Sequence, residues 1–508
     1  MGQILEAALG PEVAYWRSLN LTCADLAQTL WSTRAAQPDN VKIVLIRKSR
    51  WYFLEHAHTR PAAAGAGPGG NETKGDGGSA GEARDAVAWP PLKPASGKPG
   101  SCPNPCHGQL GSVYSKIRRV LKRFKPGVPH RYRYDLPDMV FVLNTADNER
   151  RYGLYSRAPI ISLLKTWRVP WWPTRDDGSP AANLSLGRVD GRLVEQIKLS
   201  PTFRQHLDEK LRGTIFASPS SATPSNTSSP DPGPSTPDPD PDPLRDTVRR
   251  FVSRRSPSLP PGLDLPALLA GRANASAAPQ RSAVRKGVPD MDLLIPTLYF
   301  VANGLAYYPW DKKRDIAFFR GTPYCPFSSP HGLCPRVFLA DLSRRHPGAL
   351  DVGVVGGYRG RPGPKHKEEV DVPPATPTPI RDHARYRYLL NIDGITGSTR
   401  MGLLMTTNSV VLKGRSPYIE FYSRLQTPGV HYLEYWKNPK DPQDVLQTLQ
   451  EARAAAEGDP EGREAAIAAN QAIAASYLLI RSKLILARAV LLAYAQLFPG
   501  GSGTCSWG

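Results

Sequence analysis

The residues with the clearest chemical potential lie in the stretch Gly394-Ile-Thr-Gly-Ser-Thr-Arg400. It combines backbone freedom at Gly394 and Gly397, hydroxyls at Thr396, Ser398 and Thr399, and a cation at Arg400. The apolar run Met401 to Met405 follows, with helical character, and Ser398 and Thr399 are good N-cap types. A turn of this kind brings N–H groups, hydroxyls and a positive charge to the start of a helix, where a phosphate sits well. It is not a P-loop, because no lysine follows Gly397 in the required frame. On these residues alone, an ordinary capped turn with a surface arginine is the simpler reading. Asp147 is a second candidate. It lies just past the apolar run Met139 to Leu143, which ends in Asn144. A carboxylate just beyond a buried parallel strand is where open α/β sheets keep their chemistry, although an aspartate there can equally cap a turn.

The elements that must position these groups follow from periodicity. Tyr388 to Ile392, the turn, the short helix and Ser409 to Leu412 form a strand–turn–helix–strand signal, the mark of a parallel α/β unit. Ile316 to Phe319 reads as a short buried strand ending in the polar turn Arg320-Gly321-Thr322, and Arg336 opens the apolar helix Val337 to Leu342. Near the N-terminus, Leu5 to Leu19 has helical spacing. Val41 to Ile46 and Trp51 to Leu54 form a hairpin pattern. Pro159 to Leu164 is a further apolar strand, and Gly353 to Val355 another. Terminal helices are expected at Asp441 to Glu457 and about Glu461 to Leu497.

Composition separates folded from unfolded stretches. The chain has 508 residues, enough for two or three domains, with 52 Pro and 44 Gly. Residues 61–105 read as a disordered insertion, 175–290 as a largely disordered one with helical character at Gly187 to Leu211, and Gly356 to Pro379 as a loop-rich one. Asp238, Asp240 and Asp242 alternate with proline in such a tract and are rejected as a metal site. A net charge of +20 favours polyanionic partners without excluding a role in solubility. The basic run Lys116 to Arg133 has helical spacing and reads as a solvated helix face rather than a nucleic-acid surface. The six cysteines include two close pairs, Cys102 with Cys106 and Cys325 with Cys334, either of which could be a short-loop disulfide. Zinc is the weaker reading, because the spacing is not that of a zinc ribbon. The five Asn-x-Ser/Thr sequons fit a lumenal or secreted protein. No signal peptide is visible, and Ala472 to Phe498 is interrupted by Arg481, Lys483 and Arg488, which makes it a poor membrane span.

Taken in order, these stretches resemble the glycosyltransferase 90 family, which includes protein O-glucosyltransferases and the CAP10-like capsule-associated proteins. The match is carried by Leu136 to Asp147, Pro309-Trp310 through Thr322, Tyr386 through Arg400, and Ile419-Glu-Phe-Tyr with Leu425, Val430, His431 and Tyr432. The resemblance implies a GT-B-like α/β architecture with two Rossmann-type domains facing a cleft. The N-terminal domain would comprise residues 1–60 and 106–174, the UDP-sugar-binding domain 291–470, and a C-terminal helix 471–498. It implies inverting transfer of a sugar, glucose or xylose, from a UDP-sugar to a hydroxyl of a protein or polysaccharide acceptor. Neither metal nor nucleic acid is required, and the compartment would be the endoplasmic reticulum, Golgi lumen or exterior.

The family's roles fall on particular residues of this chain. Asp147 takes the position of the catalytic base. Thr322 stands where the family has a serine whose hydroxyl would reach UDP, and Arg336 matches a family arginine across extra residues that include Cys325 and Cys334. Ile395, Thr396, Gly397, Ser398, Thr399 and Arg400 match the loop around the diphosphate, with Arg400 neutralising the leaving group. Glu420 occupies the place of a nucleotide-contacting acid. Thr399 departs from the aromatic that many glucosyltransferase members have there. The acceptor segment is either Trp167 to Trp172 or Leu293 to Phe300. A non-catalytic sugar- or polyanion-binding protein on the same scaffold is the alternative.

Overall fold

The computed structural model describes residues 2–35, 41–47, 50–56, 92–94, 136–145, 156–166, 247–250, 252, 291–298, 300–325, 334–360, 370–437, 441–498 and 505. They form two six-stranded sheets with helices packed on them. The N-terminal helices are α1 (Gly2–Ser18) and α2 (Cys23–Ala35). They precede the hairpin of β1 (Val41–Arg47) and β2 (Arg50–His56), as the sequence pattern requires. The first sheet continues with β3 (Leu92–Pro94), β4 (Met139–Asn144), β5 (Ile161–Ser162) and β7 (Leu293–Leu294), in the order β3-β2-β1-β4-β5-β7. β6 (Lys165–Thr166) lies outside it. The sheet is mixed. Its β3-β2-β1-β4 part is antiparallel, and only β4-β5-β7 is parallel. Residues expected to be unstructured insertion contribute here: β3 pairs with β2, and Val248 and Val252 are buried in the core.

The second sheet is parallel throughout. Its strands are β8 (Arg314–Gly321), β9 (Leu350–Val355), β12 (Pro374–Ala375), β13 (Tyr386–Asn391), β14 (Val410–Gly414) and β16 (Leu433–Tyr435). Their spatial order is β12-β9-β8-β13-β14-β16. Read in chain order this is 3-2-1-4-5-6, the doubly wound arrangement, whose switch point falls between β8 and β13. The stretch Gly356 to Pro379, expected to be a loop, supplies the edge strand β12 and a small hairpin of β10 (Tyr358–Gly360) and β11 (Val370–Val372).

The strands read as continuous apolar runs because both faces are covered. Phe318, Leu389 and Val411 pack toward α4 (Met401–Leu404). Their neighbours Phe319, Leu390 and Leu412 pack on the opposite face, toward α3 (Pro335–Arg345) and α5 (Asp444–Gly458). The long helix expected over Glu461 to Leu497 is broken. α6 (Pro460–Ile473) runs into a π turn at Ala474–Leu478, Leu479 is extended at ψ 154°, and α7 (Ile480–Gln496) follows. The break lets α7 return to the first sheet, where Tyr494 Oη donates to the Val140 carbonyl at 2.9 Å.

The two sheets are stitched together. β15 (Tyr418–Ile419) pairs antiparallel with β6. Beside it, Glu12 of α1 accepts from Arg424 at 2.6 and 3.1 Å and from Lys165, all three being buried. Two cations around one carboxylate hold Glu12 down at about pH 2 against the burial that would raise it. Disulfides join Cys23 to Cys505 and Cys325 to Cys334. The latter was one of two pairs considered from sequence, whereas Cys102 and Cys106 lie outside the described residues.

Candidate active site

The site is built at the carboxyl ends of the central strands, where the crevice of an open parallel sheet opens. β8 ends at Gly321 and Thr322, and β13 ends at Asn391 and leads into the turn from Asp393 to Arg400. Arg336, in the first turn of α3, joins the two strand ends. Its Nη1 donates to the Thr322 carbonyl at 3.1 Å and its Nη2 to the Ile392 carbonyl at 3.2 Å. Arg400 approaches from the other strand end, and both guanidiniums lie over the Phe319 ring, at 5.5 Å for Arg336 and 4.5 Å for Arg400. Glycine is needed at both approaches. A Cβ on Gly394 would meet Arg336 Nη2 at 2.9 Å, and one on Gly321 would meet Phe319 at 2.7 Å and Arg400 Nη2 at 3.1 Å.

The charge here is unbalanced. Arg400 Nη1 is buried and has no hydrogen-bond partner among the described residues. Burial, with Arg336 beside it, pushes the Arg400 pKa down to about 9. That still leaves it protonated at neutral pH. His383 stands behind Phe318, their rings 4.9 Å apart, and is held down at about 4 by burial and then by Arg400. It is therefore neutral at physiological pH and adds no charge. A buried cation that lacks an acceptor and is repelled by a second cation is costly, and a bound anion relieves both costs.

A small polar pocket adjoins the turn, roughly 280 Å³ counting its open mouth. Its lining includes Asp393, Ser398, Lys413, Tyr418, Glu420 and Tyr422. Asp393 accepts the Ser398 N–H at 2.9 Å, which folds the turn back on itself, and burial raises its pKa. Burial lifts Glu420 to about 7, opposed first by the 2.6 Å hydrogen bond that Tyr422 Oη donates to it. Lys413 is lowered by burial and lies 4.8 Å over the Tyr432 ring.

Among the sequence candidates, the fold brings together Thr322, Arg336, Ile395, Thr396, Gly397, Ser398, Thr399, Arg400 and, across the pocket, Glu420. Two details differ from expectation. Ser398 and Thr399 do not cap α4; the residue ahead of it is Arg400, with no side-chain cap, and the Ser398 amide is taken by Asp393. Thr322 meets Arg336 through its carbonyl, and the residue is exposed. Asp147 lies outside the described residues. Sequence reasoning missed Asp393, Lys413 and Tyr422, although Asp393 directly precedes Gly394 and Tyr422 follows two places after Glu420. Among the described residues no group of His, Cys, Asp and Glu could hold a metal, and no helix is long and apolar enough to cross a membrane.

Fold and site define an α/β protein whose parallel, doubly wound sheet opens its ligand crevice between β8 and β13. Residues 288–474 match the model of glycosyl transferase family 90. Similar proteins include protein O-glucosyltransferase 1 of Rattus norvegicus, 30% identical over 142 residues, which is 28% of this chain and 33% of the relative. The O-glucosyltransferase rumi of Drosophila pseudoobscura pseudoobscura is 32% identical over 145 residues, 28% of this chain and 32% of the relative. Protein O-glucosyltransferase 3 of Homo sapiens is 29% identical over 157 residues, 31% of this chain and 27% of the relative. The chain spans about a third of the length of the relatives it matches.

Proposed function

We propose that the chain is a glycosyltransferase that moves a sugar, glucose or xylose, from a UDP-sugar to a hydroxyl of a protein or glycan acceptor, with inversion. The observation that carries the reading is the Arg336–Arg400 pair at the switch point, Arg336 buried and Arg400 half-buried, with the buried Arg400 Nη1 lacking a partner among the described residues. A diphosphate supplies the missing acceptor oxygens and the missing negative charge. The family match and the O-glucosyltransferase names of the relatives support the sugar-transfer chemistry.

In this reading the nucleoside end of the donor lies toward Glu420 and the diphosphate against Ile395 to Arg400, with the Thr322 hydroxyl reaching UDP. Asp147 accepts the proton of the acceptor hydroxyl as its oxygen attacks the anomeric carbon. The bond from that carbon to the UDP oxygen breaks on the opposite face, so the configuration inverts. Negative charge grows on the departing diphosphate, where Arg400 and Arg336 meet it without reorganisation. The two cations do the charge neutralisation that a divalent metal does in other transferases, so we propose metal-independent transfer. The two sheets would be the facing halves of a GT-B-like enzyme of the secretory-pathway lumen.

The test is a donor panel of UDP-glucose, UDP-xylose and UDP-galactose, read by calorimetric binding and by UDP release. Binding of at least one donor, with hydrolysis or transfer that survives EDTA and is abolished in Asp147→Asn, is expected. Failure to bind any of the three overturns the reading. A strict requirement for Mn²⁺ overturns its metal-independent form.

A further inference from the structure

Tyr422 is among the largest fully buried side chains of the protein, 1% exposed, and its hydroxyl lies between Glu420 and Gly402. It donates to Glu420 Oε1 at 2.6 Å. The same oxygen stands against Gly402, in the first turn of α4. The approach is close enough that a Cβ on Gly402 would lie 3.3 Å from this oxygen. Gly402 sits two residues beyond Arg400 in α4, and Glu420 lines the pocket on the other side of the turn.

We propose that Tyr422 is a positioning residue that ties the Glu420 carboxylate to the diphosphate turn, so that the nucleoside and diphosphate ends of the ligand are recognised as one unit. The inference rests on the nucleotide-sugar reading above. A phenol that donates to Glu420 keeps that side chain in its ionised, acceptor form, aimed into the pocket. Ionised Glu420 can accept from both hydroxyls of a vicinal diol, whereas the neutral acid surrenders an acceptor position.

The groups facing Glu420 set the direction of its titration. From its own segment come Tyr422 and Ser423, the latter accepting the Glu420 amide at 2.9 Å. Lys413 acts from β14, Asp393 from the turn after β13 and Lys483 from α7. Burial raises the carboxyl to about 7; the Tyr422 bond, Lys483 and Lys413 pull it down, and Asp393 pushes it up. The ionised form is therefore present above neutrality and is lost as the pH falls through about 7. Removing the phenol hydroxyl moves that loss to higher pH.

The experiment compares wild type with Tyr422→Phe, which keeps the ring. The affinities for UDP and for inorganic pyrophosphate are measured by calorimetry from pH 5.5 to 9. Wild-type UDP affinity is expected to fall below neutrality more steeply than pyrophosphate affinity, because both anions take up a proton at about pH 6 but only UDP carries a ribose for Glu420 to hold. In Tyr422→Phe, UDP affinity at pH 7 is expected to drop roughly tenfold, and the midpoint of its pH profile to move up by about one unit. Pyrophosphate should lose less than UDP. An unchanged affinity and midpoint for UDP overturn the proposal. Equal loss for both ligands overturns it too, since that is the mark of general loosening. If Tyr422→Phe does not fold, Glu420→Gln reads the same linkage. The excess pH dependence of UDP over pyrophosphate should vanish, and its persistence overturns the proposal. Pyrophosphate binding without UDP binding in wild type overturns the nucleotide-sugar reading, and this inference with it.

Discussion

Two buried clusters of charge differ in a way that separates structure from function. Glu12, Arg424 and Lys165 sit between the two sheets. Both guanidinium ends and the ammonium meet the one carboxylate, and Lys165 also donates to the Asp292 carbonyl at 3.1 Å. At the switch point Arg336 donates to the Thr322 and Ile392 carbonyls, and Arg400 Nη1 is left without an acceptor among the described residues. The first cluster carries its counter-charge within the chain. In the second, Arg400 Nη1 has no acceptor among the described residues, and the turn beside it is rich in amides and hydroxyls.

Substitution should split the two clusters cleanly, and the largest effect belongs to the first. Glu12→Ala leaves two cations buried without their acceptor and is expected to destabilise the fold by about 3–5 kcal/mol, read as a lowered denaturant midpoint. A change in midpoint too small to resolve would erase the distinction. The same carboxylate has a pH signature. Its pKa falls from 4.5 to about 2 on folding, so its contribution is present above 4.5 and is lost as the pH drops toward 2.

The second cluster should respond in the opposite sense. Arg400→Ala removes a poorly satisfied cation and its repulsion with Arg336, so stability should hold or rise. UDP affinity should fall by about 1.5–3 kcal/mol, roughly tenfold to a hundredfold. UDP at about ten times the wild-type Kd should raise the unfolding midpoint of wild type clearly more than that of this variant. Destabilisation with intact UDP affinity would make Arg400 a structural residue like Arg424.

The smallest effect sharpens the second cluster from outside it. The Cys325–Cys334 disulfide closes the connection whose two ends carry Thr322 and Arg336. Cys325→Ser with Cys334→Ser frees Arg336 from part of its pre-organisation, worth about 0.5–1.5 kcal/mol for one immobilised side chain. UDP affinity should weaken about twofold to tenfold, and the loss should disappear in an Arg336→Ala background. A loss of the same size in that background would place the disulfide's role elsewhere.

Much of the second sheet was legible in sequence because its strands are buried on both faces. Tyr388 to Ile392 and Ile316 to Phe319 are near-continuous apolar runs, each closed by glycine and polar residues. That signal is local and survives without knowledge of neighbours. The first sheet was less legible. The run Met139 to Leu143 reads as a parallel strand, yet it pairs antiparallel with β1 on one side and parallel with β5 on the other. An apolar run carries no record of the direction of its neighbours. The break at Leu479 was missed for a similar reason. The apolar pattern runs on through it, and the extended residue is set by pairing with Ala302 and by the return of α7 to Val140.

The candidate site divides along the same line. The turn Gly394 to Arg400 could be picked out from its residues, because glycines, hydroxyls and an arginine after an apolar strand have few other uses together. Asp393 and Tyr422 could not, since an aspartate before a glycine and a tyrosine in an apolar run are common. Their roles arise only from the Ser398 amide and from Glu420 and Gly402 standing beside them.

The sequence by itself determined the alternation of apolar strands and glycine turns from Ile316 to Leu412, because backbone sterics and side-chain period act between near neighbours. Tertiary structure decided which of 65 lysines and arginines are neutralised and which await an anion. Arg424 meets Glu12 across 412 residues of chain, and Arg336 meets the Ile392 carbonyl across 56. A guanidinium's charge balance depends on what lies within a few ångströms of it, and at those separations only the folded chain brings partner and cation together.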